Sequence, residues 1–323
     1  MKRNHTPKVA IITRTKNRNL LLERAVKSVL AQTSKNYVHV VLNDGGDKRS
    51  LNKLLQNYPD ENRVVIHNDK SVGLTKALNQ AIRAVDTEYI SILDDDDSWH
   101  ELKVEKTNDY LNRTHAPGVV VFMDRIIEKI EGEEVVEISR NRWHESVDTV
   151  NLYKQCLDNY LSNGSFNYRR TLYEELGGYD ESLSVAEDWD FGIRCLLSYD
   201  INFLPTDDAL VYYHHRPDQT GDSGNSVFAG IDTHRQNLNQ LRNKYLREDI
   251  NAGRFGVGYL MNTLAYTRER EEILEQKNLE KVIRLEGHIN YQSREVQKSV
   301  EHVSYKIIHS RIISKLSQKL GVK

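Results

Sequence analysis

Only two cysteines, Cys156 and Cys195, occur in 323 residues. Two cysteines cannot build a zinc framework, and they suit a reducing compartment. No stretch approaches the roughly 18 consecutive apolar residues of a membrane span. The amino end, Met1 to Pro7, has charges with no apolar core behind them. That pattern predicts no secretory leader and a cytoplasmic location. Asn112-Arg113-Thr114 has the form of a glycosylation acceptor, accidental in a chain that is not secreted. Formal charge is nearly balanced at -2, so no overall positive field collects phosphates and a general nucleic-acid binder is excluded. Neither common phosphate loop is present. There is no G-x-x-x-x-G-K-[ST], and Gly253, Gly256 and Gly258 follow no strand.

What the chain does have is Tyr89-Ile90-Ser91-Ile92-Leu93 running into Asp94-Asp95-Asp96-Asp97. An acidic run is usually a solvated loop. Here an apolar strand delivers it, and clustered buried carboxylates are costly unless a cation sits among them. The simplest reading is a divalent metal, Mn²⁺ or Mg²⁺, at a sheet edge beside an anionic ligand. Phosphate handling then falls to the metal and not to a glycine cradle. A calcium loop fits less well, because Trp99 stands where that loop needs glycine.

Val9 to Ile12, Tyr37 to Leu42, Val64 to Ile66 and Tyr89 to Leu93 read as strands. Helical periodicity falls between them, at Leu22 to Leu30, Leu51 to Leu55 and Leu74 to Ile82. Strict alternation predicts a parallel sheet with helices on its faces. Polar clusters follow three strands, at Thr13 to Arg18, Asn43 to Asp47 and Asp94 to Asp97, and all would lie on one sheet edge.

The pattern then becomes mixed. Val119 to Phe122 reads as a strand, and a hairpin is expected around Glu131-Gly132. A short helix at Leu172 to Leu176 closes on Gly177-Gly178. Another begins near Glu187-Asp188-Trp189, with acids in the first turn, where the helix dipole favours them. Strand-like Ala209 to Tyr213 leads into His214-His215-Arg216 and then Gly221 to Ser226, a candidate lid or an ordinary surface loop. From Ile231 the chain is helical in pattern. Its last segment, Val303 to Lys323, is apolar on one face, with Lys306, Arg311, Lys315, Lys319 and Lys323 and no acid. It would lie on anionic lipid or pack against itself or a second subunit. The domain division expected is 1–230 for the catalytic sheet domain and 231–323 for a helical appendage.

The ordered motifs resemble glycosyltransferase family 2, inverting enzymes of the GT-A fold, over Lys8 to Ser226. Thr15-Lys16-Asn17-Arg18, Asn43-Asp44-Gly45-Gly46, Gly73-Leu74-Thr75-Lys76-Ala77-Leu78-Asn79, Asp94-Asp95-Asp96, Gly177-Gly178-Tyr179-Asp180-Glu181 and Glu187-Asp188-Trp189 carry the resemblance. It implies a Rossmann-like, mostly parallel mixed sheet flanked by helices. It also implies a nucleotide-diphosphate sugar donor, UDP-linked, and a glycan or a lipid-linked or wall-polymer acceptor. Thr15 and Asp44 would contact the base. Asp94 and Asp95 would hold the ribose, Asp96 the metal, and Asp188 would be the general base. Asn17, Arg18, Lys76, Asn79, Glu187 and Trp189 would border the substrates. His214 or His215 would complete the metal or diphosphate contacts. Strand alternation lets only one face the site, and His214 is assigned. Lys16, Asn43 and Leu78 depart from the family pattern next to the nucleotide.

Those residue types suit glycosyl transfer. A cation stabilises the leaving diphosphate, and a positioned carboxylate takes the proton of the acceptor hydroxyl. A histidine in the shell tilts the metal toward Mn²⁺. Trp189 would wall off Asp188 or stack on a sugar. Two other readings use the same residues: a metal-dependent sugar nucleotidyltransferase, and a non-catalytic sheet domain that scaffolds the helical arm.

Overall fold

The computed structural model describes residues 8–132, 134–143, 150–218, 224–225 and 231–320. Its first half alternates as the periodicity predicts. β1 (Val9–Thr15), α1 (Asn19–Leu30), β2 (Tyr37–Asp44), α2 (Lys48–Gln56), β3 (Arg63–Asn68), α3 (Leu74–Arg83) and β4 (Tyr89–Ile92) follow one another. Then come β5 (Ser98–Trp99), α4 (Lys103–Thr114), β6 (Gly118–Val120), β7 (Met123–Glu131), β8 (Glu134–Arg142) and α5 (Leu152–Leu157). β9 (Phe166–Arg169), α6 (Arg170–Glu175), α7 (Glu187–Ser198), β10 (Asn202–Phe203) and β11 (Val211–His215) complete the sheets, and α8 (Ile231–Asn251) and α9 (Val257–Leu320) end the chain.

Seven strands form one sheet in the order β10-β6-β9-β4-β1-β2-β3. β1 runs parallel to β2 and β4, and β2 to β3, whereas β9 is antiparallel to both β4 and β6. The continuous apolar run of β1 has a simple cause. Ala10 and Ile12 point into one core with Leu78, Ile82 and Phe191, while Val9 and Ile11 point into the other with Val29, Tyr89 and Leu111. A second sheet, β5-β11-β7-β8, includes the expected hairpin. The pairing shifts register at Ile127/Glu128, where Ile138 of β8 is the extra residue, so β7 itself keeps its alternation.

The compact first unit runs through Asn262, and Thr263 onward forms the second. The boundary expected at 230 is therefore corrected. Asp190 of α7 is fully buried, and a buried carboxylate needs cations and donors around it. Alongside Arg194, α8 supplies Lys244 Nζ at 3.0 Å and the Tyr245 hydroxyl at 3.0 Å; the same lysine also pairs with Asp180 at 2.7 Å. Leu241 and Met261 are buried there too. The second unit is the remainder of α9. Among the described residues no helix is long and apolar enough to cross a membrane. The candidate lid lies, except for Gly224 and Asn225, outside the described residues, as do the side chains of Lys315, Lys319 and Lys323.

Candidate active site

Parallel βα order carries the loops after β1, β2 and β4 to one edge of the sheet. Asn17 sits in the left-handed region, φ 57°, and its Oδ1 accepts from the Asp47 amide at 2.8 Å, tying the first loop to the second. Gly45 is also left-handed, φ 79°, and a Cβ there would lie 2.4 Å from the Ser71 nitrogen. Only glycine allows these loops to approach so closely. Gly45→Ala is expected to destabilise the protein by at least about 1–2 kcal/mol from backbone strain alone, read as a lower thermal midpoint.

The next residue, Asp44, accepts four hydrogen bonds: from Asn68 Nδ2 at 2.9 Å, the Ser71 hydroxyl at 2.6 Å, and the amides of Val72 at 2.9 Å and Gly73 at 3.2 Å. Against the effect of burial, these donors hold its carboxyl below the ordinary range. A carboxylate has about four acceptor sites, so Asp44 is filled by the loop it shapes. Contact with a base requires one of those bonds to exchange.

The carboxylates after β4 meet a set of arginines. Arg18 pairs with Asp95 at 2.8 Å and Asp96 at 2.8 Å, and Arg14 approaches Asp94 at 3.6 Å. Arg216, fully buried, also pairs with Asp96, and Asn225 Nδ2 donates to the same oxygen at 3.3 Å. Burial pushes Asp94 up to about 6 and Asp95 to about 7, with Asp96 adding repulsion in both cases. Asp96 itself goes the other way: burial would raise it, but Arg18 and Arg216 outweigh that and lower it. Burial and its neighbours Asp96 and Asp94 push Asp97 well up, and it caps β11 by accepting from the His214 amide at 3.0 Å. Thr15 is buried, with its hydroxyl beside Asp95.

The expectation for His214 is corrected. Its Nδ1 bonds Glu128 at 2.7 Å and its Nε2 bonds Ser98 Oγ at 2.9 Å. A carboxylate only accepts, so Nδ1 carries the proton and Nε2 accepts from the serine. Both ring nitrogens are committed to protein, which leaves none for a metal. His215, on the opposite face, stands edge-on to Tyr213 at 4.2 Å between ring centres and 5.7 Å from Trp143.

Glu128 is the residue that motif reading misses. It is 3% exposed and gathers Arg24, at 2.7 and 3.0 Å, Arg216, at 2.6 Å, and His214. Burial would raise its pKa, but these partners pull it down to about 2. Arg216 and Arg24 also reach Asp96, by its carboxylate and its carbonyl respectively, so the network buttresses the carboxylate loop. Alternation along β7 turns it inward beside Ile126, but no motif marks a buried acid at that position.

Asp188 opens α7 and is half-buried. It accepts from the Asn163 amide at 3.4 Å and the Trp189 amide at 2.8 Å. Burial raises its pKa over the opposition of those donors. Its charge adds to the raised pKa of Asp94, so the two carboxylates stand within electrostatic reach of one another. Glu187, buried, is pushed by burial and by Asp188 to about 8, so it is protonated at neutral pH. Trp189 does not border the site as expected. It is 6% exposed, its indole N–H donates to the Gln155 carbonyl, and it belongs to the interior.

One further expectation changes. Asn79 is fully buried, and its amide is consumed by protein. It donates to the Tyr179 carbonyl at 2.9 Å and Glu181 at 3.0 Å and accepts from the Tyr173 hydroxyl at 2.7 Å and the Tyr179 amide at 3.2 Å. It is a rivet between α3 and the Gly177-Gly178 turn, not a substrate contact. Lys76 is exposed on the first turn of α3.

The donor set suits a hard divalent cation. Oxygens crowd one loop with more negative charge than burial favours. Among the described residues no group of three His, Cys, Asp or Glu is already arranged to hold a metal. Ions such as Mg²⁺ commonly take one or two carboxylates and complete their shell with substrate phosphates. With His214 bonded to Glu128 and Ser98, an imidazole beside the carboxylate loop would be His215, whose pKa registers the charge of Asp96.

Comparison with known proteins fits this geometry. The chain is 26% identical over 254 residues to the uncharacterized glycosyltransferase YwdF of Bacillus subtilis, covering 77% of this chain and 88% of that protein. It is 25% identical over 192 residues to a PGL/p-HBAD biosynthesis glycosyltransferase of Mycobacterium tuberculosis, covering 58% and 70%. The structure of Staphylococcus aureus TarS 1–349 in complex with UDP-GlcNAc superposes with a TM-score of 0.53 at 20% identity, over 65% of this chain and 59% of that one, and so shares its fold. The sequence pattern of "Glycosyl transferase family 2" matches residues 10–177, and the chain belongs to that family of transferases.

Proposed function

We propose that this glycosyltransferase moves a sugar from a UDP-sugar to a hydroxyl of a glycan or of a lipid-linked or wall-polymer acceptor, with inversion. The observation that carries the reading is the electrostatic interaction of Asp94 and Asp188. Asp188, a carboxylate of raised pKa, interacts with Asp94 of the loop suited to a nucleoside diphosphate and its cation, which supports the reading. Family membership sets aside the nucleotidyltransferase and scaffold alternatives.

The chain's own residues have separable tasks. Thr15, Asn17 and the Asp44 loop form the nucleotide end. Arg18 and Arg216, already held at Asp96, supply guanidinium charge beside the diphosphate. Asp96 with Asp94 would hold a divalent cation, which when bound neutralises charge on the leaving diphosphate. Asp188 accepts the proton of the acceptor hydroxyl as the new bond forms. A raised pKa makes it a better base than an ordinary aspartate. One base facing the leaving group is the arrangement for inversion.

Thermal melting tests the donor end. UDP with Mn²⁺ or Mg²⁺ should raise the midpoint, UDP with a chelator should raise it far less, and a panel of UDP-sugars should rank the donors. No shift with any nucleoside diphosphate at millimolar concentration would sink the reading.

A further inference from the structure

The second unit contains a long stretch of α9 whose side chains follow a seven-residue repeat. Let Leu279, Glu286, Ser293, Val300 and Ile307 be position a; then Val282, Ile289, Val296 and Val303 are position d. Seven of these nine positions are apolar, and those seven side chains are 47–63% exposed. A lone apolar stripe would say little. The charges say more. Every charged residue from Glu280 to Glu301, except Glu286, falls at b, c or f, on the outer face. From Ile283 to Ser304 the e and g positions carry no charge at all; they hold Ile283, Leu285 and neutral Asn, Gln and Ser.

We infer that α9 is the strand of a homo-oligomeric coiled coil of three or more copies of this chain. The occupant follows from the pattern. A partner must present a heptad face that needs no charge complement at e and g, and a second copy of α9 presents that face without like-charge repulsion. An anionic lipid surface would instead favour Lys or Arg bordering the apolar stripe, whereas the borders here are neutral. Strand number follows from side-chain shape. β-Branched residues fill every d position from Val282 to Val303, a choice that disfavours the two-stranded geometry with Leu at d. Uncharged e and g positions point the same way, because they become interior as strands are added. Glu286 and Ser293 are the polar layers, which set register at a cost in stability. This inference stands independently of the donor and acceptor proposed above.

Size-exclusion chromatography with light scattering on the full chain at micromolar concentration tests it. The wild type should weigh at least three chains. Ile289→Asp with Val296→Asp should give a single chain, with the melting transition of the first unit retained. Tyr291→Asp with Lys298→Asp, both at f, should leave the assembly intact. Glu286→Leu should lower the concentration at which the assembly dissociates by about tenfold or more, by removing a polar core layer. A mass of one or two chains for the wild type overturns the inference. So does an assembly indifferent to the d-position changes, or one loosened by Glu286→Leu.

Discussion

Asp188→Asn should lower kcat for sugar transfer by about 10²–10⁴-fold, the range attached to a positioned general base. That is about 3–5 kcal/mol of transition-state stabilisation. The amide keeps the shape of the carboxylate and its one oxygen can keep one of the two bonds, from the amide of Trp189 to Oδ1 or of Asn163 to Oδ2. It cannot take a proton. Donor KM and the midpoint shift with UDP and metal should therefore stay near wild type. The sign of the pH dependence is fixed by burial, which raises the pKa of Asp188. As pH falls through that raised value the base is protonated and the rate drops, so the acid limb lies above the ordinary aspartate range. The variant should lack that limb. Transfer within a few-fold of wild type would remove Asp188 from the chemistry. Loss of the donor-induced shift alongside activity would mark it as a structural residue instead.

Glu128→Ala is expected to be the most damaging single change for stability. Glu128 is the shared anion for Arg24, Arg216 and His214, and Arg216 is fully buried. Removing one partner from a buried ionic network leaves charge uncompensated, at a cost of about 3–5 kcal/mol. For a chain of this size the thermal midpoint should fall by roughly 4–7 °C. The pH dependence gives a second check. The folded-state pKa of Glu128 is about 2, below its ordinary 4.5. Its contribution is complete above the ordinary value and drains as pH falls toward the folded one. The variant should therefore lose least stability relative to wild type in strong acid. A midpoint within a degree or two of wild type at neutral pH would mean that the network contributes nothing.

These two residues differ in how they could be found. Asp188 sits in an ordered motif. Glu128 sits on the inner face of β7 outside any motif, and its partners lie up to 104 residues away in sequence. Asn79 shows the reverse. It lies in a motif next to the nucleotide, yet the fold spends its whole amide on the turn around Tyr179. Motif membership marks a neighbourhood, not a contact. Strand β9 was missed for a related reason. Four residues carry too little period to read, and the antiparallel insertion between β4 and β6 is a matter of tertiary pairing.

The order of elements alone determined that the loops after β1, β2 and β4 share one edge. A parallel βα chain leaves every such loop at the same end of the sheet, whatever lies further along. The heptad pattern of α9 is equally local and equally legible. Only the tertiary structure tied His214 to Glu128 and Ser98, recruited Arg24 and Arg216, and extended the first unit through α8. Those outcomes depend on which buried charge finds which partner across a hundred residues, and no local period encodes that.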